Sequence, residues 1–219
     1  MNKKVLYSVV SLVFILFVVV VSFVCFENKK SSDKVKEEVP VKAEKPFITE
    51  YSIEEVSDEE VKEIFLNNHA MALGDSMGEG LDAYKVLYSE SVVYTRGRRI
   101  DNMVKDMPKV IEYNPKYLFL SYGANDIIKW NGDVEGFINA YKNSISYIKE
   151  VLPDTIIIIN SVLPVSEKAI NNKSAFTYQS EFNSKLMELC KSMEIDFLEN
   201  SRFLLEKEEP YGYDGIHPK

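Results

Sequence analysis

Histidine and cysteine are almost missing from this chain, with two of each in 219 residues. Two cysteines, Cys25 and Cys190, are too few for a disulfide scaffold. Cys25 lies in an apolar run and Cys190 on an expected helix face, so neither a bridge nor a metal site is expected. Two histidines rule out a His-rich metal centre and leave His69 and His217 as the only imidazoles able to act as a base. An excess of positive charge is also lacking. Beyond residue 26 the chain carries 24 basic and 34 acidic side chains. Phosphate backbones need a basic footprint, so nucleic acid is not an expected partner. No internal repeat is visible.

The last absence is local. Val5 to Phe26 is a stretch of 22 residues without a charge, VLYSVVSLVFILFVVVVSFVCF. As a helix it is long enough for a hydrocarbon core of about 30 Å. It ends in Ser22-Phe23-Val24-Cys25-Phe26, without small residues in an A-x-A-like cleavage pattern. The expectation is an uncleaved transmembrane anchor, residues 1–26, with the following domain extracytoplasmic at the cell surface. Lysines on both sides of the run leave the positive-inside count undecided, so orientation rests on the large domain after a short tail. Residues 27–46, ENKKSSDKVKEEVPVKAEKP, lack aromatics and periodicity and read as a disordered charged linker. The folded domain is expected over 47–219.

That domain alternates strand and helix. Ser57-Asp58-Glu59-Glu60 is a capping box. Strands are expected at 69–73, 91–95, 116–122, 155–160 and 195–198. A helix should run from the first strand to about Tyr88, and another over 101–113, broken at Pro108. The run TIIIIN at 155–160 is apolar throughout, as a strand covered on both faces must be. The order implies an α/β fold, a parallel sheet between two helical layers.

Four short stretches follow strands and therefore share the sheet's carboxyl edge, where open α/β sheets place ligands. They are Gly74-Asp75-Ser76, Thr95-Arg96-Gly97-Arg98-Arg99, Gly123-Ala124-Asn125-Asp126 and Asp214-Gly215-Ile216-His217. A serine hydroxyl is a weak nucleophile until a base takes its proton, and the base needs a third group to orient it. Asp214 and His217, three residues apart, can supply both. An oxyanion needs convergent donors, and the Ser76 N–H, the Gly97 N–H and the Asn125 amide are available. His69 lies seven positions before Ser76, on the order of 20 Å away at the opposite edge at about 3.3 Å per residue. Asp75 and Asp126 are expected to accept hydrogen bonds from loop backbone. Arg96, Arg98 and Arg99 form a basic knot whose two readings are surface ion pairing and contact with an anionic substrate group at the pocket rim. Trp130, Tyr211 and Tyr213 are read either as walls of a sugar or acyl pocket or as packing residues.

Gly74-Asp75-Ser76, Gly97, Gly123-x-Asn125-Asp126 and Asp214-x-x-His217, in this order, resemble the four blocks of the SGNH (GDSL) hydrolase family over about 70–218. The resemblance implies a flavodoxin-like three-layer sandwich around a five-stranded parallel sheet in order 2-1-3-4-5. It implies ester hydrolysis by Ser76, His217 and Asp214, with Ser76, Gly97 and Asn125 as oxyanion donors and no metal or cofactor. Arg96, Arg98 and Trp130 are candidate substrate-binding residues. Two features depart from the family. Tyr94-Thr95-Arg96 stands where an Asn usually precedes the second-block glycine, and the chain stops at Lys219, where the family continues into a helix. The expectation drawn is a longer natural protein, with 208–219 mobile in this form. The expected substrate is an O-acyl ester, such as O-acetyl, on envelope carbohydrate. The alternatives are a lysophospholipase or lipase-type esterase, an acyltransferase, and a non-catalytic, membrane-tethered envelope-binding module.

Overall fold

The computed structural model describes residues 57–219. The anchor expected at 1–26, the linker at 27–46 and the first residues of the domain lie outside the described residues. Among the described residues, no helix is long and apolar enough to cross a membrane.

Five strands form one sheet in the order β2-β1-β3-β4-β5, and every pairing is parallel. They are β1 (Ala70–Gly74), β2 (Val92–Tyr94), β3 (Tyr117–Ser121), β4 (Ile156–Asn160) and β5 (Asp196–Leu198). The helices are α1 (Asp58–Asn67), α2 (Ser76–Ala83), α3 (Met107–Tyr113), α4 (Ala124–Trp130), α5 (Val134–Val151), α6 (Glu167–Asn172), α7 (Gln179–Ser192) and α8 (Ser201–Leu205). Alternate residues of each strand face opposite layers. Met71, Leu73, Leu118, Leu120, Ile157 and Ile159 pack beneath α3, α4, α5 and α7, with Phe137, Tyr141 and Phe182 forming an aromatic centre. Ala70, Ala72, Tyr117, Phe119 and Ile158 face the second layer, where Phe65 of α1, Leu81 of α2 and Phe203 of α8 cover them. A sheet so enclosed needs strands apolar on both faces, which is why TIIIIN and KYLFLSY lack alternation.

Local chemistry sets the boundaries. Ser57 and Glu60 make the expected capping box: the Glu60 N–H donates to Ser57 Oγ at 3.3 Å and the Ser57 N–H to Glu60 Oε2 at 2.8 Å. β1 begins at Ala70 rather than His69, because His69 adopts φ +51 and stacks on Tyr113. α2 stops at Ala83, short of Tyr88, as the chain turns through Lys85 at φ +59. Pro108 does not break a helix. It sits in the first turn of α3, where its missing N–H leaves no hydrogen bond unmade, and a separate 3₁₀ segment, Ile100–Lys105, precedes it. Gly123 has φ +151, and a Cβ there would lie 2.1 Å from Val162 Cγ2. Only glycine allows α4 to start this close to the end of β4.

Candidate active site

β1 ends at Gly74 and α2 begins at Ser76, so a single residue, Asp75, makes the turn. Asp75 is the N-cap. Its Oδ1 accepts the Met77 N–H at 3.0 Å, and its carbonyl accepts the Gly78 N–H at 3.1 Å. These bonds fix the first turn of α2 and leave the Ser76 N–H without an intrahelical partner, as the geometry of a helix start requires. Ser76 thus stands at the sheet's carboxyl edge with the positive end of a helix beneath it.

His217 comes to the same point from the chain's end. Its Nε2 lies 2.8 Å from Ser76 Oγ, and its Nδ1 lies 2.5 Å from Asp214 Oδ2. The other oxygen of Asp214 accepts the Ile216 N–H at 2.9 Å and the His217 N–H at 3.0 Å. Partial burial pushes the Asp214 carboxyl up. The bonds from the His217 ring and from the two backbone N–H groups outweigh it and hold the group below its ordinary value. Asp214 therefore stays ionised at neutral pH and favours the His217 tautomer with its proton on Nδ1. Nε2 is then free to accept from the serine.

The loop carrying His217, expected to be mobile, is tied by backbone hydrogen bonds. The Gly212 N–H donates to the His217 carbonyl at 2.7 Å and the Lys219 N–H to the Pro210 carbonyl at 3.0 Å. Tyr211 and Pro218 form an antiparallel bridge. The Ser166 N–H, at the start of α6, donates to the Gly215 carbonyl at 2.8 Å.

Other anticipated residues divide. Asn125, in the first turn of α4, points to Asp75: its Nδ2 donates to Asp75 Oδ2 at 3.0 Å and to the Arg98 carbonyl at 3.4 Å. Burial raises the Asp75 carboxyl to about 6 against the pull of the Met77 N–H and the Asn125 amide. Asp126 accepts the Ile100 N–H at 3.0 Å, and its burial lifts it to about 7. Both aspartates accept from backbone N–H groups, but of helical turns and not of loops: Asp75 from α2 and Asp126 from the start of the 3₁₀ segment.

Gly97, Arg98 and Trp130, candidates for the site, stand away from the cleft, and for Arg98 and Trp130 the ion-pairing and packing readings are the ones the structure takes. Gly97 is exposed, in a turn closed by the Arg98 N–H on the Thr95 carbonyl, and is not among the residues lining the cleft at Ser76. Arg98 turns inward: its guanidinium grips both oxygens of Asp106, at 2.6 and 2.8 Å, so it ties the turn to the 3₁₀ segment instead of facing a substrate. Trp130 packs against Gly136 and beneath the Lys129 ammonium, in a separate hollow lined by Ile100 and Val104. Tyr213 lies exposed under Lys168, away from the cleft. Arg96 does line the cleft mouth, where it is ion-paired with Glu79.

Ser76 and His217 open onto a cleft of about 330 Å³. Ser121, Asn160 and Ser161 line its polar edge and were not anticipated. Asn160 donates to Ser121 Oγ at 2.9 Å and accepts from Asn200 at 2.9 Å. Their position at the ends of β3 and β4, beside β1 in the sheet, was the signal available for them.

A hydroxyl, an imidazole and a carboxylate in one hydrogen-bonded line, above a parallel sheet, are the parts of a serine hydrolase that works by acyl transfer. The chain belongs to the GDSL-like lipase/acylhydrolase family, whose model matches residues 72–219. No curated protein matches it. Among solved structures it is similar to a GDSL-like lipase from Bacteroides thetaiotaomicron. That pair is 17% identical, with a TM-score of 0.55 over 70% of this chain and 81% of the other. A carbohydrate esterase family 3 protein from Talaromyces cellulolyticus is 14% identical, with a TM-score of 0.51 over 68% and 87%. A member of the lipolytic G-D-S-L family from Veillonella parvula is 16% identical, with a TM-score of 0.50 over 68% and 88%. At these identities the likeness is one of fold.

Proposed function

We propose that the chain is a serine esterase that cleaves O-acyl esters through an acyl-enzyme, with Ser76 as nucleophile, His217 as general base and acid, and Asp214 as its orienting carboxylate. The observation that carries the proposal is the line of two hydrogen bonds from Ser76 Oγ through His217 to Asp214, at 2.8 and 2.5 Å. In the first half-reaction Ser76 Oγ attacks the ester carbonyl carbon while its proton passes to His217 Nε2. The tetrahedral oxyanion collapses, the acyl–oxygen bond breaks, and the departing alcohol takes the proton. Water then attacks the acyl-enzyme by the same route, releasing the carboxylic acid and restoring Ser76. The Ser76 N–H, at the start of α2, is the first oxyanion donor. Asn125 is the second candidate donor: its Nδ2 is steered by Asp75 and would give up its 3.4 Å bond to the Arg98 carbonyl to reach the oxyanion.

Residues 5–26 anchor this domain outside the cytoplasmic membrane in our reading, which makes an O-acylated envelope carbohydrate the expected substrate. The fold likeness to a carbohydrate esterase supports that choice of alcohol.

Labelling with a fluorophosphonate probe, followed by peptide mapping, tests the mechanism. Modification of Ser76 in the parent protein and none in Ser76→Ala is the expected result. A folded parent protein that stays unlabelled, yet binds envelope glycan, would establish a binding module instead.

A further inference from the structure

We propose that Ser121 is a specificity-determining residue, whose hydroxyl donates a hydrogen bond to an acceptor oxygen carried by the ester beside its scissile group. The inference rests on the esterase reading and concerns which ester is taken, not how it is cleaved. Ser121 ends β3 and is the register partner of Gly74, the second residue before Ser76. The Asp75 N–H donates to the Ser121 carbonyl at 3.4 Å, so the turn that carries the nucleophile is tied to this residue. Both Gly74 and Ser121 line the cleft at Ser76. A Cβ at Gly74 would lie 3.2 Å from Ser121 Cβ, so the glycine leaves the space beside the serine side chain open.

The direction of its hydrogen bond is set from behind. A row of side chains crosses the sheet edge from the start of α8 to the end of β3. Asn200 Nδ2 donates to Asn160 Oδ1 at 2.9 Å, and Asn160 Nδ2 donates to Ser121 Oγ at 2.9 Å. Asn200 and Asn160 are buried, so neither amide can swing away without leaving polar atoms unpaired. A hydroxyl has one proton and two lone pairs. Asn160 takes a lone pair of Ser121, and among the described residues the proton has no acceptor. Ser161, on the same edge, differs. It accepts the Asn200 N–H at 2.9 Å and donates to Glu199 Oε1 at 3.1 Å, so its proton is already used within the protein. Of these two serines only Ser121 has a proton to offer. The group that meets it must be an acceptor, such as an ether, hydroxyl or carbonyl oxygen on the acyl or the alcohol half of the ester. A plain alkyl ester would displace water from Ser121 and give its hydroxyl nothing in return.

Two pairs of esters of equal length isolate that oxygen. In the acyl pair p-nitrophenyl methoxyacetate is set against p-nitrophenyl butanoate, and in the alcohol pair 2-methoxyethyl acetate against butyl acetate. The readout is the ratio of kcat/KM, ether over alkyl, compared between parent and variant, in which the intrinsic reactivities of the esters cancel. Ser121→Ala should lower the ratio about twofold to tenfold in at least one pair, the scale of one neutral hydrogen bond. The pair with the larger fall identifies the half of the ester that lies against Ser121. Ser121→Thr keeps the hydroxyl and should restore the ratio. Thermal unfolding of both variants within a few degrees of the parent establishes that they are folded. An unchanged ratio in both pairs for Ser121→Ala, with Ser76 still labelled by a fluorophosphonate, would overturn the role of Ser121 and leave the esterase standing. A lowered ratio that threonine fails to restore would also overturn it, since the shape of the site and not the hydroxyl would then be the cause. No labelling of the parent protein would overturn the esterase reading as well.

Discussion

Ser76 stands on a one-residue turn between a buried strand and a helix, whereas His217 stands on a hairpin loop with no helix or strand beneath it. Around the serine, Asp75 is 1% exposed and Gly74 is buried against the neighbouring strand. Around the base, the side chains of His217 and Asp214 remain 43% and 46% exposed. The two halves are held by different physics. The sheet and its packed core fix the serine, and a handful of backbone hydrogen bonds fix the histidine. Damage to the first half should therefore appear as lost stability, and damage to the second as lost turnover.

The comparison breaks most sharply where both halves meet. Ser76→Ala and His217→Ala should each lower kcat for a short ester by at least about 10⁴-fold, and the double variant should lose little more. All three should unfold within a few degrees of the parent, since neither side chain is buried in a core. Additive losses in the double variant would mean that the two residues do not act as a unit.

Two glycines sharpen the contrast. A Cβ at Gly74 would lie 2.7 Å from the Ser121 carbonyl oxygen, inside the sheet. Gly74→Ala should cost about 1–3 kcal/mol, because backbone in a packed sheet has to move. Gly215 has φ +74, and a Cβ there would lie 2.0 Å from Ser166 Oγ, a side chain that can rotate away. Gly215→Ala should cost only the strain of an alanine at positive φ, about 1 kcal/mol, and so lower the unfolding temperature less than Gly74→Ala. Its kcat should drop about tenfold or more, since a displacement of about 1 Å in a base can cost 10²-fold. Thermal unfolding and steady-state kinetics on both variants decide it. The reverse pattern would show that the loop, and not the sheet, carries stability.

The same division explains what was legible in the sequence. The resemblance to the SGNH family implied the strand order and the roles of Ser76, His217 and Asp214, and the strand ends placed Ser76 and Asn125 at one edge of the sheet. The direction of a side chain within a loop follows no such rule. Arg98 was read as facing the rim or the solvent, but Asp106, eight residues on, draws its guanidinium inward. Trp130 ends α4 against the start of α5, a contact set by the Gly132 turn and not by any periodicity. The anchoring of 208–219 was missed because its bonds are between backbone groups, which leave no trace in residue type.

A smaller effect follows from the buried acids on the serine side. Asp126 is raised to about 7 by desolvation, against an unfolded value near 3.9. The native state thus holds a proton that the unfolded chain releases, so this group's contribution to stability declines as pH rises from about 4 to about 7. Asp126→Asn keeps the acceptor for the Ile100 N–H and removes the titration. Urea unfolding should show the variant gaining on the parent between pH 4.5 and 7.5, by up to about 3 kcal/mol on the scale of roughly 1.4 kcal/mol per pKa unit. A difference independent of pH would mean that Asp126 is ionised throughout. Asp214, lowered where Asp126 is raised, should show the opposite sign: its contribution is present above about 4 and fades only as pH falls below that.

The smallest effect is expected at the cleft mouth. Arg96 is ion-paired with Glu79, but the arginine side chain is 76% exposed, so water and salt screen the attraction. Exposed pairs of this kind contribute about 0–1 kcal/mol. Arg96→Ala should therefore shift stability by less than about 1 kcal/mol and change kcat/KM for a neutral ester by no more than about twofold. Its partner makes the result informative. Removing the arginine leaves Glu79 as an unpaired carboxylate beside the site, so an ester with an anionic alcohol half should lose ground in KM at low salt and recover as salt is added. Parallel kinetics on neutral and anionic esters, at low and high ionic strength, separate the two cases. A large loss on the neutral ester would mean that Arg96 holds the cleft mouth in shape. Equal, salt-independent kinetics on both esters would leave Arg96 as a surface ion pair and confine recognition to the rest of the cleft, including the polar edge formed by Ser121, Asn160 and Ser161.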